Sequence, residues 1–392
     1  MLPVAGAHLI RTIALCLAAV MLGAASPAPQ GDRLRPPSAQ DAPIALLVDL
    51  SSGQTLFARE SDRRFMPASI TKVMTALLAF EMIEDHRLFP EQAMTVRPET
   101  FRRWSRVGST MYIPDDARVT VEELLFGITT VSGNDASVVL AEGAAGSVAQ
   151  WLAGMNATAA KYDMHDSHFN TPNGWMDDGR TFTTARDLVT MGSALVLQHP
   201  EKYRHFFGAV GLEYNGITQR NHDPITGRVE GADGIKTGFT NQAGYGFLGS
   251  AERNGRRLMM VVAASPSGRT RNSASRDLIE WGFANFAGVR LFEKDEAIAK
   301  ARVQDGSASA VPLAAQAPVG LSIPRDREMN IKLTIRYEGP LRAPIAQGEE
   351  VARLLVSVDG QQVNSVPLVA TQAIVEANPL RRVFNGLLGW VT

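Results

Sequence analysis

Strand-like runs at both ends of a mainly helical stretch limit the possible folds of this chain more than any other feature. Residues 44–50 and 54–58 are apolar runs joined by Ser-Ser-Gly, as in an antiparallel hairpin. Three similar runs come much later, at residues 234–239, 244–251 and 257–264. Apolar residues recur at helical spacing at residues 69–83, 121–128, 136–142, 147–162, 185–197 and 272–286. We predict an α+β domain over residues 42–288 whose terminal segments share one antiparallel sheet.

The chain continues past this domain with a different pattern. Its 392 residues exceed what one compact domain usually needs. Apolar and polar residues alternate in three segments, at residues 331–337, 353–358 and 362–368. We therefore predict a small all-β domain over residues 289–377. Ahead of the first domain, residues 26–41 are rich in proline and polar residues, which predicts a flexible spacer.

The N-terminal segment has the pattern of an export signal. Arg11 precedes an apolar run over residues 12–22, and small residues follow at 23–25. The run is shorter than the ~20 residues that a spanning helix needs, so we predict a signal peptide over residues 1–25 rather than an anchor. Cys16 lies in this run and is the only cysteine. The mature protein should therefore have no disulfide, thiol nucleophile or cysteine zinc site.

The C-terminal segment predicts an amphipathic helix over residues 378–392. Asn378 suits a helix cap and Pro379 suits the first helical position. Apolar residues then recur at helical spacing, at Leu380, Val383, Phe384, Leu387, Leu388 and Val391. The segment is too short to span a bilayer, so we expect it to lie on the membrane surface with Trp390 at headgroup level. A helix packed on the last domain is the alternative.

Charge and motif content exclude several classes of function. The formal net charge of −1 argues against a nucleic-acid partner. The sequence contains neither the H-E-x-x-H zinc motif nor the G-x-S-x-G nucleophile elbow. We expect no metal and no cofactor.

Ser69 and Lys72 form the first candidate for chemistry, an S-x-x-K pattern. At positions i and i+3 of a helix, the hydroxyl and the amine lie on one face and can share a proton. Pro67 favours a helix that begins near Ser69, where free backbone N–H groups can stabilise negative charge. Lys72 would lose its proton more easily if it were buried beside other cations. The pattern arises by chance about once in a chain of this length, so it needs support from other residues.

Two further motifs follow in the chain. Ser132 and Asn134 form an S-x-N pattern in a turn, expected to be exposed, between an apolar run and a helix. Lys236, Thr237 and Gly238 form a K-T-G pattern on a predicted strand. Each motif alone has an ordinary explanation, a helix cap for the first and an edge-strand charge for the second. Together with S-x-x-K, in this order on helix, loop and strand, they are the elements of penicillin-binding enzymes.

On these residues the chain resembles D-alanyl-D-alanine carboxypeptidases of serine peptidase family S11, among the low-molecular-mass penicillin-binding proteins. Four other segments are similar, at residues 168–174, 183–188, 233–238 and 343–345. The resemblance implies a β-lactamase-like catalytic domain, an antiparallel sheet with a helical cluster, followed by the all-β domain. It implies removal of the terminal D-alanine from peptidoglycan stem peptides and covalent inhibition by β-lactam antibiotics. It also implies a peripheral location at the periplasmic face of the bacterial inner membrane.

The resemblance implies a role for each motif residue in two acyl-transfer steps. Ser69 would attack the carbonyl between the two D-alanines while Lys72 takes its proton. Ser132 would relay a proton to the leaving amine, and Asn134 would hydrogen-bond the substrate backbone. The backbone N–H groups of Ser69 and Phe239 would form the oxyanion hole.

The remaining implied contacts are with the terminal carboxylate of the substrate. Lys236 and Thr237 of the K-T-G motif, which Gly238 completes, would hold this carboxylate, and Arg271 would assist. Many relatives carry histidine at the position of Phe239, so substrate preference or rate can differ here.

A basic segment borders the predicted site and is unusual for this family. Trp104 stands among Arg102, Arg103 and Arg106. Such a segment could bind an acidic glycan strand, but we expect a solvated basic patch.

Three other functions are alternatives to the carboxypeptidase. A class A β-lactamase carries a glutamate about three dozen residues after the second motif. Residues 167–170 here are Ser-His-Phe-Asn, so we expect slow release of penicillin. An endopeptidase that cuts D-alanyl crosslinks would use the same motifs and stays open. An inactive wall-binding scaffold is opposed by the intact motif residues.

Overall fold

The computed structural model describes residues 10–15 and 34–378. These residues divide into two compact units. The larger unit holds residues 34–50 and 55–284. The smaller unit holds residues 10–15, 51–54 and 285–378. Three predicted segments lie wholly or partly outside the described residues. They are most of the signal peptide, part of the spacer and the C-terminal helix beyond Asn378.

The elements are numbered along the chain. The strands are β1 (Ile10–Leu15), β2 (Ile44–Asp49), β3 (Gln54–Arg59), β4 (Ala93–Thr95), β5 (Arg118–Thr120), β6 (Gly211–Tyr214), β7 (Ile217–Arg220), β8 (Ala232–Thr240), β9 (Gly244–Arg253), β10 (Arg256–Ser265), β11 (Phe286–Phe292), β12 (Ala297–Gln304), β13 (Ala310–Ala314), β14 (Val319–Pro324), β15 (Ile331–Glu338), β16 (Leu341–Arg342), β17 (Glu350–Val358) and β18 (Gln361–Ala370). The helices are α1 (Lys72–Glu84), α2 (Pro98–Trp104), α3 (Val121–Thr130), α4 (Asn134–Ala145), α5 (Val148–Lys161), α6 (Ala185–Gln198), α7 (Pro200–Phe206) and α8 (Gly268–Asn285). A single turn of 3₁₀ helix, Ala68–Thr71, comes immediately before α1.

A five-stranded sheet with strand order β3-β2-β10-β9-β8 organises the larger unit. The first strands of the unit pair with its last ones, since β2 lies antiparallel to β10 with Ile44 opposite Ala263. This confirms the predicted α+β fold, in which both ends of the domain enter one antiparallel sheet. Strand β8, which carries the K-T-G motif, lies at one end of that order.

Both faces of this sheet are buried. Successive side chains of a strand point to opposite faces, and on β10 both sets lie in apolar clusters. On β10, Met259 and Val261 join the large apolar cluster that contains the buried faces of the helices. Their neighbours Leu258 and Met260 join a second cluster with Leu278 of α8. Burial of each such side chain contributes roughly 1.5–3 kcal/mol, so the helical cluster and α8 clamp the sheet from both sides. The helix that follows the S-x-x-K serine, α1, is buried along most of its length within the first cluster.

The smaller unit is β-rich, as predicted. Its main sheet has the strand order β1-β15-β17-β18-β13-β12-β16, and β11 pairs separately with β14. Strand β1 falls within the predicted signal peptide and pairs with β15, with Ile13 opposite Ile335; cleavage of the signal stays a prediction. In the part of the chain that the structure describes, no helix is both long and apolar enough to cross a membrane.

Candidate active site

The S-x-x-K serine lies at the junction of a 3₁₀ turn and the buried helix. Ser69 is the second residue of the turn, and α1 begins at Lys72. The side chains meet as predicted, since Lys72 Nζ lies 2.9 Å from Ser69 Oγ. Ser69 is partly exposed whereas Lys72 is 1% exposed, so the hydroxyl faces solvent and the amine lies behind it.

Lys72 is buried in a setting that favours its neutral form. Burial lowers the pKa of Lys72 well below 10.5, the nearby charge of Lys236 lowers it further, and Asp135 opposes both effects. Nζ also lies 2.8 Å from Asn134 Oδ1 and 2.7 Å from the backbone oxygen of Asn173. A neutral amine has two N–H donors and one lone pair, and these two oxygens take both donors. The lone pair is then left for the hydroxyl proton of Ser69.

The S-x-N motif joins α3 to α4, and it is buried rather than exposed. Ser132 is 4% exposed and has a φ of +63°, and Asn134, 3% exposed, is the first residue of α4. The prediction of an exposed turn was wrong because backbone hydrogen bonds tie the turn inward. Gly133 donates to the carbonyl of Gly127, and Asn134 donates to that of Ser109. The turn therefore forms a fixed wall of the site.

The K-T-G motif approaches Ser69 from strand β8. A Cβ at Gly238 would lie 2.4 Å from the carbonyl oxygen of Pro67, so only glycine lets the strand pass this close to the serine turn. Lys236 is 4% exposed, and its Nζ lies 3.2 Å from the carbonyl oxygen of Thr237. Burial and the charge of Arg271 lower the pKa of Lys236 to about 7.

Arg271 of α8 adds a second cation at the same end of the site. It is 7% exposed, and it donates to the carbonyl of Gly246 at 2.9 Å and to Oδ1 of Asn272 at 2.7 Å. Burial lowers its pKa to about 10, against the opposing effects of Asp223 and Tyr245. At neutral pH Arg271 therefore carries its charge and Lys236 carries part of its own, so this end of the site can attract an anion.

One cleft of about 710 Å³ brings the predicted residues together. Seven of the nine predicted site residues line it, namely Ser69, Ser132, Asn134, Thr237, Gly238, Phe239 and Arg271. The other two, Lys72 and Lys236, lie behind its wall and contact Ser69 Oγ and the Thr237 carbonyl. The Phe239 side chain is 46% exposed and stacks on Tyr245 with ring centroids 4.0 Å apart.

Several cleft residues were not assigned roles from the sequence. Asn173 accepts a hydrogen bond from Lys72 through its backbone, an interaction to which no side-chain pattern points. His222, Asp223 and Arg228 line the cleft from the loop before β8. Trp175 follows the segment at residues 168–174, whose similarity to the family was the available signal for this wall.

The cleft lacks the carboxylate of a class A β-lactamase. Asp166, the acidic residue nearest the expected position, pairs with Arg64 at 2.7 Å, and both side chains are more than half exposed. Neither residue lines the cleft. Among residues 10–15 and 34–378, no group of three or more His, Cys, Asp and Glu side chains could hold a metal ion.

A serine beside a buried lysine whose pKa is lowered, in a cleft with a cationic end, defines a serine acyl-transfer enzyme of the penicillin-binding class. A sequence model of the family described as D-alanyl-D-alanine carboxypeptidase matches residues 32–267. A model of the penicillin-binding protein 5 C-terminal domain matches residues 286–376. The chain belongs to the D-alanyl-D-alanine carboxypeptidase family.

Curated proteins and solved structures resemble nearly the whole chain. D-alanyl-D-alanine carboxypeptidase DacA of Haemophilus influenzae is 31% identical over 351 residues, which cover 88% of this chain and 87% of that protein. The crystal structure of penicillin-binding protein 5 from Haemophilus influenzae aligns with a TM-score of 0.78 at 30% identity, covering 87% of this chain and 99% of that one. Penicillin-binding protein D2 of Listeria monocytogenes, in its ampicillin-bound form, aligns with a TM-score of 0.57 at 28% identity, covering 64% of this chain and all (100%) of that one.

Proposed function

We propose that this protein is a serine D-alanyl-D-alanine carboxypeptidase that removes the terminal D-alanine from peptidoglycan stem peptides. The observation that carries the proposal is the buried Lys72 amine, which lies 2.9 Å from the Ser69 hydroxyl and has a pKa lowered by burial. Membership of the carboxypeptidase family supports the substrate class.

The first step forms an acyl-enzyme. Ser69 Oγ attacks the carbonyl carbon of the peptide bond between the two D-alanines, and Lys72 Nζ takes the hydroxyl proton. The bond to the leaving nitrogen breaks, and Ser132 relays a proton to that nitrogen so that D-alanine departs as an amine. Water then attacks the ester, Ser69 recovers its proton, and the shortened peptide leaves.

The cationic end of the cleft selects substrates with a free terminal carboxylate. The site uses Lys236 and Arg271 for charge and the Thr237 hydroxyl for a hydrogen bond. A peptide with an amidated C-terminus leaves these buried donors without a partner, which costs much of the binding energy. This requirement is what makes the enzyme an exopeptidase.

Release of D-alanine from a peptide that ends in D-Ala-D-Ala tests this function, with the mature chain from residue 26 and a Ser69→Ala control. The wild type should release D-alanine, and the control should not. If the wild type cuts crosslinked muropeptide dimers and leaves the pentapeptide intact, the endopeptidase alternative replaces this proposal. If it cuts neither, the scaffold alternative replaces it.

We also propose export and attachment to the membrane surface. The N-terminal signal pattern supports export, and the helical spacing of apolar residues over 378–392 supports a surface helix at the periplasmic face. Deletion of residues 379–392 should move the protein from the membrane fraction to the soluble fraction without a change in peptidase rate. A truncated protein that still sediments with membranes would contradict the anchor.

A further inference from the structure

Three arginines form an uncompensated basic cluster next to the cleft. Arg102 and Arg103 lie in the last turn of helix α2, and Arg106 lies in the loop that follows. All three are exposed, and in the described part of the chain none of them forms a salt bridge with a carboxylate. Their neighbour Arg97 differs, because it lies 3.9 Å from Glu142.

Aromatic contacts connect the cluster to the cleft wall. The guanidinium of Arg103 lies over the ring of Trp104, 5.4 Å from its centroid. Trp104 packs edge-on against Trp175 with centroids 5.7 Å apart, and Trp175 lines the cleft. Two successive ring contacts therefore connect Arg103 to the cleft wall.

The backbone makes a second connection. Arg106 has a left-handed conformation, with φ of +60°, immediately before Val107. The carbonyl of Val107 accepts a hydrogen bond from Asn134 Nδ2 at 3.0 Å, and Gly108 and Ser109 line the cleft. The loop that carries Arg106 therefore positions the side-chain amide of Asn134, which is expected to hydrogen-bond the substrate backbone.

The two ends of the cleft meet different parts of a bound peptide. The terminal carboxylate goes to Lys236 and Arg271, so the residues before the scissile bond pass Asn134 and the loop at residues 106–109. Arg106 lies two residues before Gly108, which lines the cleft, so a carboxylate upstream of D-Ala-D-Ala would approach the side of the cleft that borders the cluster. A planar guanidinium suits a carboxylate because it can donate two parallel hydrogen bonds.

We propose that Arg102, Arg103 and Arg106 form a subsite for upstream carboxylates of the stem peptide, so that the enzyme prefers acidic stem peptides to neutral ones. The subsite rests on the proposed carboxypeptidase function and adds a specificity to it. The alternative is the solvated basic patch expected from the sequence.

Two synthetic substrates that differ in one charge test the subsite. One is acetyl-γ-D-Glu-L-Lys-D-Ala-D-Ala, and the other carries the α-amide in place of the glutamate carboxylate. At low ionic strength the wild type should hydrolyse the acid with a kcat/KM about fivefold higher than the amide, a ratio in keeping with one or two exposed ion pairs. The ratio should fall toward one at about 0.5 M salt, where such pairs are screened.

The variant R102Q/R103Q/R106Q should lose this ratio through a higher KM for the acid peptide. A charge-matched variant, R87Q/K161Q/R204Q, removes three cations from other segments, namely the turn after α1, the end of α5 and helix α7, and should keep the ratio. An unchanged ratio in the first variant, or equal hydrolysis of the two peptides by the wild type, overturns the subsite. Hydrolysis of neither peptide by the wild type refutes the carboxypeptidase function instead.

Discussion

Substitution of Lys236 by methionine should stabilise the protein while it damages the site. The pKa of Lys236 falls from 10.5 to about 7 on folding, chiefly because the side chain is buried. Each pKa unit corresponds to ~1.4 kcal/mol, so the charged amine destabilises the fold by about 5 kcal/mol at pH below 7. Loss of the hydrogen bond from Lys236 to the Thr237 carbonyl lowers this gain in stability by about 1 kcal/mol. A gain of about 3 kcal/mol in unfolding free energy remains after an allowance for imperfect packing of methionine.

The sign of the pH dependence follows from the same shift. Between pH 7 and 10.5 the unfolded chain binds the Lys236 proton and the folded protein does not, so the stability of the wild type rises with pH across this window. The advantage of the Lys236→Met variant is therefore full below about pH 7 and disappears near pH 10.5. The kcat/KM of the variant should fall about 10- to 100-fold, because it loses a charged hydrogen bond to the substrate carboxylate.

Urea unfolding followed by tryptophan fluorescence measures this effect. Four of the five tryptophans, Trp104, Trp151, Trp175 and Trp281, lie in the larger unit, so the signal reports mainly on the unit that holds Lys236. At pH 6 the midpoint of the variant should be higher by about 1 M urea. A variant that is less stable than the wild type at pH 6, or an advantage that persists unchanged to pH 10, would refute the assignment of Lys236 as a buried, strained cation.

Three further predictions concern the site. Gly174→Ala should abolish activity and lower the melting temperature, because a Cβ there would lie 1.8 Å from the carbonyl oxygen of Ala68 and φ is +73°; a wild-type rate and melting curve would contradict this. The rate of D-alanine release should rise with pH as Lys72 loses its proton and fall as Lys236 loses its own near pH 7. Lys236→Arg should shift the falling limb to higher pH, and a limb that stays in place would assign it to another group. Bound benzylpenicillin should be released slowly. Asp166→Asn should not change that release rate, because Asp166 pairs with Arg64 away from the cleft. Slower release in the variant would give Asp166 a role in deacylation.

Periodicity predicted the α+β fold, and the motifs together with the family resemblance predicted the residues that gather in the cleft. The hairpin at β2 and β3, the paired strands β9 and β10 and the long helices carry periodic patterns that sequence displays directly. The short helices α2 and α7 and the short strands β4 to β7 could not be predicted, because three to seven residues are too few to show a period.

What the sequence could not supply depends on tertiary contacts. The turn at Ser132 looked exposed because its residues are polar, yet backbone hydrogen bonds draw it into the wall. The contact of Lys72 with Asn173 uses a carbonyl oxygen that every residue has, so only the fold selects it. Within residues 10–15 and 34–378, the absence of ion-pair partners around Arg103 is likewise a property of the folded surface.

Peptide mapping of the mature protein after reaction with benzylpenicillin tests the central claim most directly, because it locates the acylated atom. The account predicts one covalent adduct on the peptide that contains Ser69, no adduct in Ser69→Ala, and acylation at least about 100-fold slower in Lys72→Ala, where the base is missing. An adduct on any other residue, or rapid acylation without Lys72, would contradict the Ser69–Lys72 mechanism.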